Sequence, residues 1–308
     1  MRRKRYYQFL AGALLIVSAG LLVLAQGQPG EKATVKFSDP SKPGQLVVDN
    51  MRGSITVKGY EGKGVIVEAR VREKAISEEE SRSKKIAEKA GRILPPPPPP
   101  VSVDEREKKT SDKAAGMKKI EAATTGLTIE EENNVMSVDV ESWKRTTDLL
   151  IQVPYSTSLK LSSVMNGNIV VEKVNGEIEV ENVNGAIRLT NVSGTVVANT
   201  VNGETAVTLD KVDPGKPMSF SSMNGDIDVT LPADIKASVK MKSEQGEIYS
   251  DFEIALKESS QKSEDDARKK GGKYRISFEK TYLGTINGGG PELQFTTFNG
   301  DIYIRKKK

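Results

Sequence analysis

The 308 residues suffice for one large all-β domain, and an aromatic content of only 5% points to a core of thin Val, Ile and Leu layers. The chain has no Cys and no His, which excludes disulfides, zinc–thiolate sites, a lipobox cysteine, imidazole metal sites and His-based catalytic triads. The net charge of +4 sits at the amino terminus: apart from Arg2, Arg3, Lys4 and Arg5, 42 basic residues balance 42 acidic ones, so charge gives no case for nucleic acid.

Met1–Arg5 is basic, and Phe9–Ala25 is apolar except for Gly12, Ser18 and Gly20. Val23-Leu24-Ala25 then offers a cleavage site, and Gln26–Gly30 is polar and helix-ending. This three-part pattern reads residues 1–25 as a signal peptide. The apolar run is near the lower length limit for a spanning helix, so an uncleaved amino-terminal anchor is the alternative. Either way residues 26–308 are expected outside the cytoplasm: periplasmic, on the cell surface or secreted, or tethered to the inner membrane by residues 9–25. That segment is the only membrane contact the sequence offers.

Gln45–Val71 and Leu127–Val140 alternate apolar and polar residues and carry turn signals such as Asn133-Asn134, so they read as strands. Between them, residues 74–124 form a charged, Pro-rich insertion. Ser77 and Glu80 make a capping box for a short helix over Ser77–Ala90, and Pro95–Pro100 is a stiff polyproline segment. Leu149–Pro154 and Leu159–Leu161 are further strands. They lead into a repeat.

Asn166-Gly167, Asn175-Gly176, Asn184-Gly185, Ser193-Gly194 and Asn202-Gly203 recur at a constant step of nine. Each unit reads apolar, Asn, Gly, any, apolar, any, apolar. The unit returns at Met51–Val57, Met223–Val229 and Phe298–Ile304, with a degraded copy at Glu244–Ile248. Asn and Gly both tolerate positive φ, so the pair marks a corner, and the alternating Ile and Val mark a short strand. Alternation slips wherever a polar residue precedes the next apolar one: Lys173 before Val174, Asn182 before Val183, Asn191 before Val192, Thr200 before Val201. Read as one bend per unit, this favours a solenoid over a hairpin meander. The expected fold is all-β: a right-handed parallel β-helix or β-solenoid with about two 9–11-residue units per coil, its asparagines stacked in a corner ladder. Residues 26–308 form a single domain, interrupted by the 74–124 insertion and by a charged loop over 257–273.

Met51–Val57, Leu149–Pro154, Leu159–Val164, the array, Phe220–Pro232, Gly246–Asp251 and Gly288–Ile304 together resemble a bacterial putative-adhesin family of unknown function whose members look like β-helices. The resemblance covers residues 35–75 and 127–308, and the insertion departs from it. It implies a fold and no established activity.

The leading expectation is therefore a non-catalytic exported envelope or surface protein, adhesin-like, binding a glycan or protein partner through a solenoid face, with no cofactor and no metal. The outward positions Asn168, Val170, Glu177, Glu179, Arg188, Thr195 and Glu204 show no aromatic row for sugar stacking. The alternatives are a polysaccharide-active β-helix enzyme, for which Asp226, Asp228 and Asp301 are the acids to consider, and a structural or stress-related envelope component with no external ligand.

Overall fold

The computed structural model describes residues 30–72, 125–140, 145–266 and 274–308. The amino-terminal segment, the helix expected over 77–90 and the polyproline run lie outside these residues. Among the described residues every regular element is a strand. In chain order they are β1 (Glu31–Lys36), β2 (Gly44–Arg52), β3 (Ile55–Tyr60), β4 (Gly64–Arg72), β5 (Leu127–Glu132), β6 (Val135–Val140), β7 (Thr146–Pro154), β8 (Thr157–Met165), β9 (Ile169–Glu172) and β10 (Asn175–Asn184). There follow β11 (Ile187–Asn202), β12 (Thr205–Val212), β13 (Met218–Asn224), β14 (Ile227–Leu231), β15 (Ala237–Gln245), β16 (Ile248–Ser250), β17 (Ala255–Asp266), β18 (Tyr274–Ile286), β19 (Glu292–Asn299) and β20 (Ile302–Lys306).

β-Branched residues at every second position favour extended backbone and turn one row inward. All twenty strands join one sheet, folded over a single apolar core. Its first face runs β6–β2–β8–β10–β11–β13–β19–β15, every neighbour parallel. The second runs β7–β3–β9–β11–β12–β14–β20–β16, also parallel. β11 serves both: Ile187–Thr190 pairs in the second face, the chain bends at Asn191 (φ 53°), and Ser193–Asn202 pairs in the first. Consecutive strands therefore alternate between the faces, and within the central array in-register partners are 18 (Ile178 to Val196), 19 (Leu159 to Ile178) or 22 residues (Ala198 to Phe220) apart. Antiparallel strands close the ends, β5 on β6 and β4 then β1 on β7 at one end, β18 then β17 on β15 at the other.

The coils do not stack in chain order. β19 and β20 lie between β13–β14 and β15–β16, and β2–β3 lie between β6–β7 and β8–β9. The last strands of the chain are thus paired on both sides rather than left as an edge. Phe220 and Phe295, 75 residues apart, stack in the core with ring centroids 5.3 Å apart.

The two corners of each coil differ. Where the chain passes from the second face to the first, Lys173 (φ 56°) and Asn191 (φ 53°) take left-handed backbone, and Val174 and Val192 turn into the core. There the slip in alternation is a bend, as the pattern suggests. Where the chain passes from the first face to the second, the sequence reading is wrong. Asn182 and Thr200 are inside the core, 3% and 6% exposed, and Val183 and Val201 face out. Alternation continues through this corner, and the inward residue is simply polar.

The reason is a backbone need. Gly53, Gly167, Gly185, Gly203, Gly225, Gly300 and Gly246 form a column at this corner, one per coil. A Cβ on any glycine after Gly53 would overlap the carbonyl oxygen of the glycine in the adjoining coil, so only glycine fits. That approach leaves the glycine carbonyls facing the core, where an unpaired acceptor is costly. A buried donor answers each. Ser163 Oγ donates to Gly53 O (3.1 Å), Asn182 Nδ2 to Gly167 O (3.0 Å) and Thr200 Oγ1 to Gly185 O (3.2 Å). Ser222 Oγ donates to Gly203 O, Thr297 Oγ1 to Gly225 O (both 3.1 Å), and Ser243 Oγ to Gly300 O (3.0 Å). Asn50 Nδ2 does the same for Thr147 O at the end of the column.

Two further points differ from expectation. Asn166 (φ 58°) is one residue more than the other coils carry at this corner, so it stands outside the asparagine ladder. The charged stretch from 257 is not a loop over its described part: Lys257–Asp266 belongs to β17, one arm of a β17–β18 hairpin.

Candidate interaction surface

Among the described residues the apolar core is filled, and what the coils present outward is the surface open to a partner. Beside the glycine column, two outward rows run along the first face. One contains Asn184, Asn202, Asn224, Asn299 and Gln245 in register. Their amides form part of a ladder: Asn202 Nδ2 donates to Asn184 Oδ1 (3.0 Å) and Asn224 Nδ2 to Asn202 Oδ1 (2.9 Å). Each asparagine satisfies the next, which is why the residue type repeats.

The adjoining row is apolar. Val183 and Val201 are each 37% exposed, Phe298 49% and Met223 54%, all in register, and half-buried Met51 and Val164 extend the row at one end. At ~4.8 Å per strand the six side chains span about 24 Å. A continuous exposed apolar row is unusual on a soluble surface and marks an interaction site more often than a scatter of single residues does.

The second face carries a different group near β20 and β16. Tyr249 and Tyr303 stack with centroids 5.2 Å apart and rings 8° from parallel. Tyr303 OH donates to Asp301 Oδ2 (3.0 Å) and Tyr249 OH to Glu247 Oε2 (2.7 Å). Arg305 lies 5.2 Å from the Tyr303 ring centroid. The hydrogen bond to Glu247, and then its charge, push the Tyr249 phenol up to about 12, and Asp301 raises Tyr303 in the same way. Both rings are neutral and held by a carboxylate at any ordinary pH.

The acids considered for catalysis are engaged in the fold. Asp226 Oδ1 accepts the Asp301 N–H (2.8 Å), and Asp301 Oδ1 accepts the Glu247 N–H (2.8 Å). Asn168 does the same for Ala186 N–H (2.9 Å), and Asp148 for Ser54 N–H (2.8 Å). After Gly167, Gly225 and Gly300 the next residue is thus a staple to the adjoining coil. Asp228 takes Arg305 Nε on both carboxylate oxygens (2.8 and 2.9 Å). The structure therefore brings Asp226 and Asp301 together as successive rungs. Of the other outward positions, Glu179 pairs with Lys160 (3.2 Å) and Glu177 with Lys216. Asn168, Arg188 and Glu204 are exposed, and Val170 and Thr195 are half-buried. An open hollow between the corner loops is lined by Val212, Pro214, Pro232, Ile235 and Pro291. Among the described residues no group of three acids could hold a metal ion.

The tyrosine pair is absent from the sequence reading, yet a signal exists. Gly246-Glu247-Ile248-Tyr249 and Gly300-Asp301-Ile302-Tyr303 are the same unit with the same aromatic place. Their adjacency is not read from the pattern because 54 residues separate them.

These features define an all-β, solenoid-like scaffold with repeated outward rows. Residues 159–287 match the family model described as Toastrack DUF4097, a domain of unknown function. The chain is also similar to a solved structure described as a putative cell adhesion protein from Clostridium sporogenes, at 11% identity and a TM-score of 0.44, covering 90% of this chain and 100% of that one. No protein of curated function matches.

Proposed function

We propose that this is a non-catalytic, exported, adhesin-like protein of the cell envelope or surface, which binds a partner through an outward face of its coils. The observation that carries the reading is the apolar row Met51, Val164, Val183, Val201, Met223 and Phe298, in register on adjoining coils. Apolar side chains aligned over about 24 Å suit an extended segment of a protein partner. The amino-terminal basic and apolar segments support export, by cleavage after Ala25 or by retention as an anchor. Right-handed winding, with two 9–11-residue units per coil, is the form that parallel strand crossovers favour. The enzyme alternative loses its footing, since Asp226, Asp228 and Asp301 are committed to coil staples and an ion pair.

The test compares wild type with a Met223→Asp/Phe298→Asp double variant in the cells that make the protein. Both replaced side chains are exposed, so folding is expected to be unchanged. Wild type is expected in the envelope fraction and cut by protease on intact cells, while the variant loses binding to isolated envelopes by about tenfold or more. Equal retention of the two proteins removes the row from the reading, and a product confined to the cytoplasm removes export.

A further inference from the structure

The second face stops abruptly at β16, which among the described residues pairs only with β20. Two outward columns end there with it. The aromatic column runs Tyr303, Tyr249. The acceptor column runs Asp226, Asp301, Glu247, each earlier member accepting the backbone N–H of the next coil. Among the described residues Glu247 is the last rung, and no further strand brings it an N–H. Its Oε2 accepts from Tyr249 OH, two residues along the chain. Tyr249 has Tyr303 on one face and is 47% exposed. The stack therefore ends on an open aromatic face beside a carboxylate acceptor.

What fits that end is a flat group with an apolar face and a hydroxyl donor at its rim. A pyranose sugar has both, since its axial C–H bonds line one face and its hydroxyls ring the edge. We propose that the β16 end of the second face is a glycan subsite, where a neutral pyranose takes the place of the next rung. It stacks on Tyr249 and donates a hydroxyl to Glu247. The C–H groups meet the negative face of the phenol ring. The hydrogen bonds from Tyr249 to Glu247 and from Tyr303 to Asp301 hold both rings in the stacking orientation before any ligand arrives. Glu247, Asp301 and Asp226 make the neighbourhood acidic, which selects neutral over anionic sugars. β-Linked glucose-type units suit it best, because their equatorial substituents leave the ring face clear. The site deepens the partner-binding reading above but does not depend on the apolar row, which lies at a corner of the first face.

The test titrates the purified full chain with cellohexaose, followed by calorimetry and by saturation transfer to the sugar protons in NMR. Binding is expected, with the strongest saturation at the axial ring protons. Tyr249→Ala should weaken it by roughly three- to tenfold, the worth of one aromatic stacking contact. Tyr249→Phe keeps the ring and should stay within about threefold of wild type. The Met223→Asp/Phe298→Asp variant should bind the sugar as wild type does, so that failure of the envelope reading and failure of this site are told apart. No saturation of any sugar proton, or equal affinity in wild type and Tyr249→Ala, overturns the proposal.

Discussion

Replacing Gly203 with alanine is expected to destabilise the protein by about 3 kcal/mol, among the largest effects any single methyl group has here. The new Cβ would overlap the Gly185 carbonyl oxygen, and the Gly185 carbon and the Ala186 nitrogen lie close behind it. All three are backbone, held on the other side by the next coil, so no side chain can swing away. Gly203 is outside the positive-φ set, so the cost is one of close approach rather than of backbone conformation. Gly215 is the control. A Cβ there meets nothing within 4 Å, and Gly215→Ala should change stability by less than about 0.5 kcal/mol. Urea unfolding of the two variants beside wild type makes the comparison. Equal midpoints for both would mean that the coils are not in contact at this corner.

A second large effect runs against hydropathy. Thr200→Val keeps the shape of a buried side chain and makes it more apolar, which on transfer energies alone should stabilise. The structure predicts a loss of about 2 kcal/mol, because the Gly185 carbonyl is left in the core without its donor. The neighbouring exchange, Val201→Thr, places a hydroxyl on an exposed corner and should cost less than about 0.5 kcal/mol. Unfolding curves for the pair decide which of the two adjacent residues faces inward. Stabilisation by Thr200→Val would contradict the polar column, and with it the explanation of why Ser163, Asn182, Ser222 and Thr297 are buried.

Much of the fold was legible in the residues. The Ile and Val alternation and the return of the unit near residues 51, 223 and 298 point to stacked short strands, and the described strands follow them; the expected glycine corner is found at Gly167, Gly185 and Gly203, whereas Gly176 and Gly194 lie inside β10 and β11. What misled was the assumption that a polar residue in an inward place marks a bend. At Lys173 and Asn191 it does. At Asn182 and Thr200 it marks a carbonyl needing a donor, and hydropathy cannot separate those cases because both put a polar residue before a valine. The positions of Asp226 and Asp301 were readable, but their role as staples was not, since it depends on a backbone N–H supplied by another coil.

The surface was hidden for a topological reason. Pattern reveals which residues alternate but not which coils touch. The Phe298 end of the apolar row, and the place of Tyr249 at the end of its stack, depend on β19 and β20 slipping between β13–β14 and β15–β16. In a stack built in chain order Met223 would lie beside Glu244, Phe298 would sit at the end, and Tyr249 would lie between Asp228 and Tyr303. The same interleaving pairs the end of the chain on both sides and gives Phe220 its partner Phe295.

The Phe298 end of the row and the glycan subsite rest on that coil order, and oxidation of paired cysteines tests it most directly, because the chain has no cysteine of its own. In the structure Met223 is in register with Phe298, and Phe298 with Glu244. The account predicts that Met223→Cys/Phe298→Cys forms an intramolecular disulfide under mild oxidant, seen as a shift on a non-reducing gel, while Met223→Cys/Glu244→Cys does not. A disulfide in the second variant and none in the first would show coils stacked in chain order, and would remove Phe298 from the row and Tyr249 from the end of its stack.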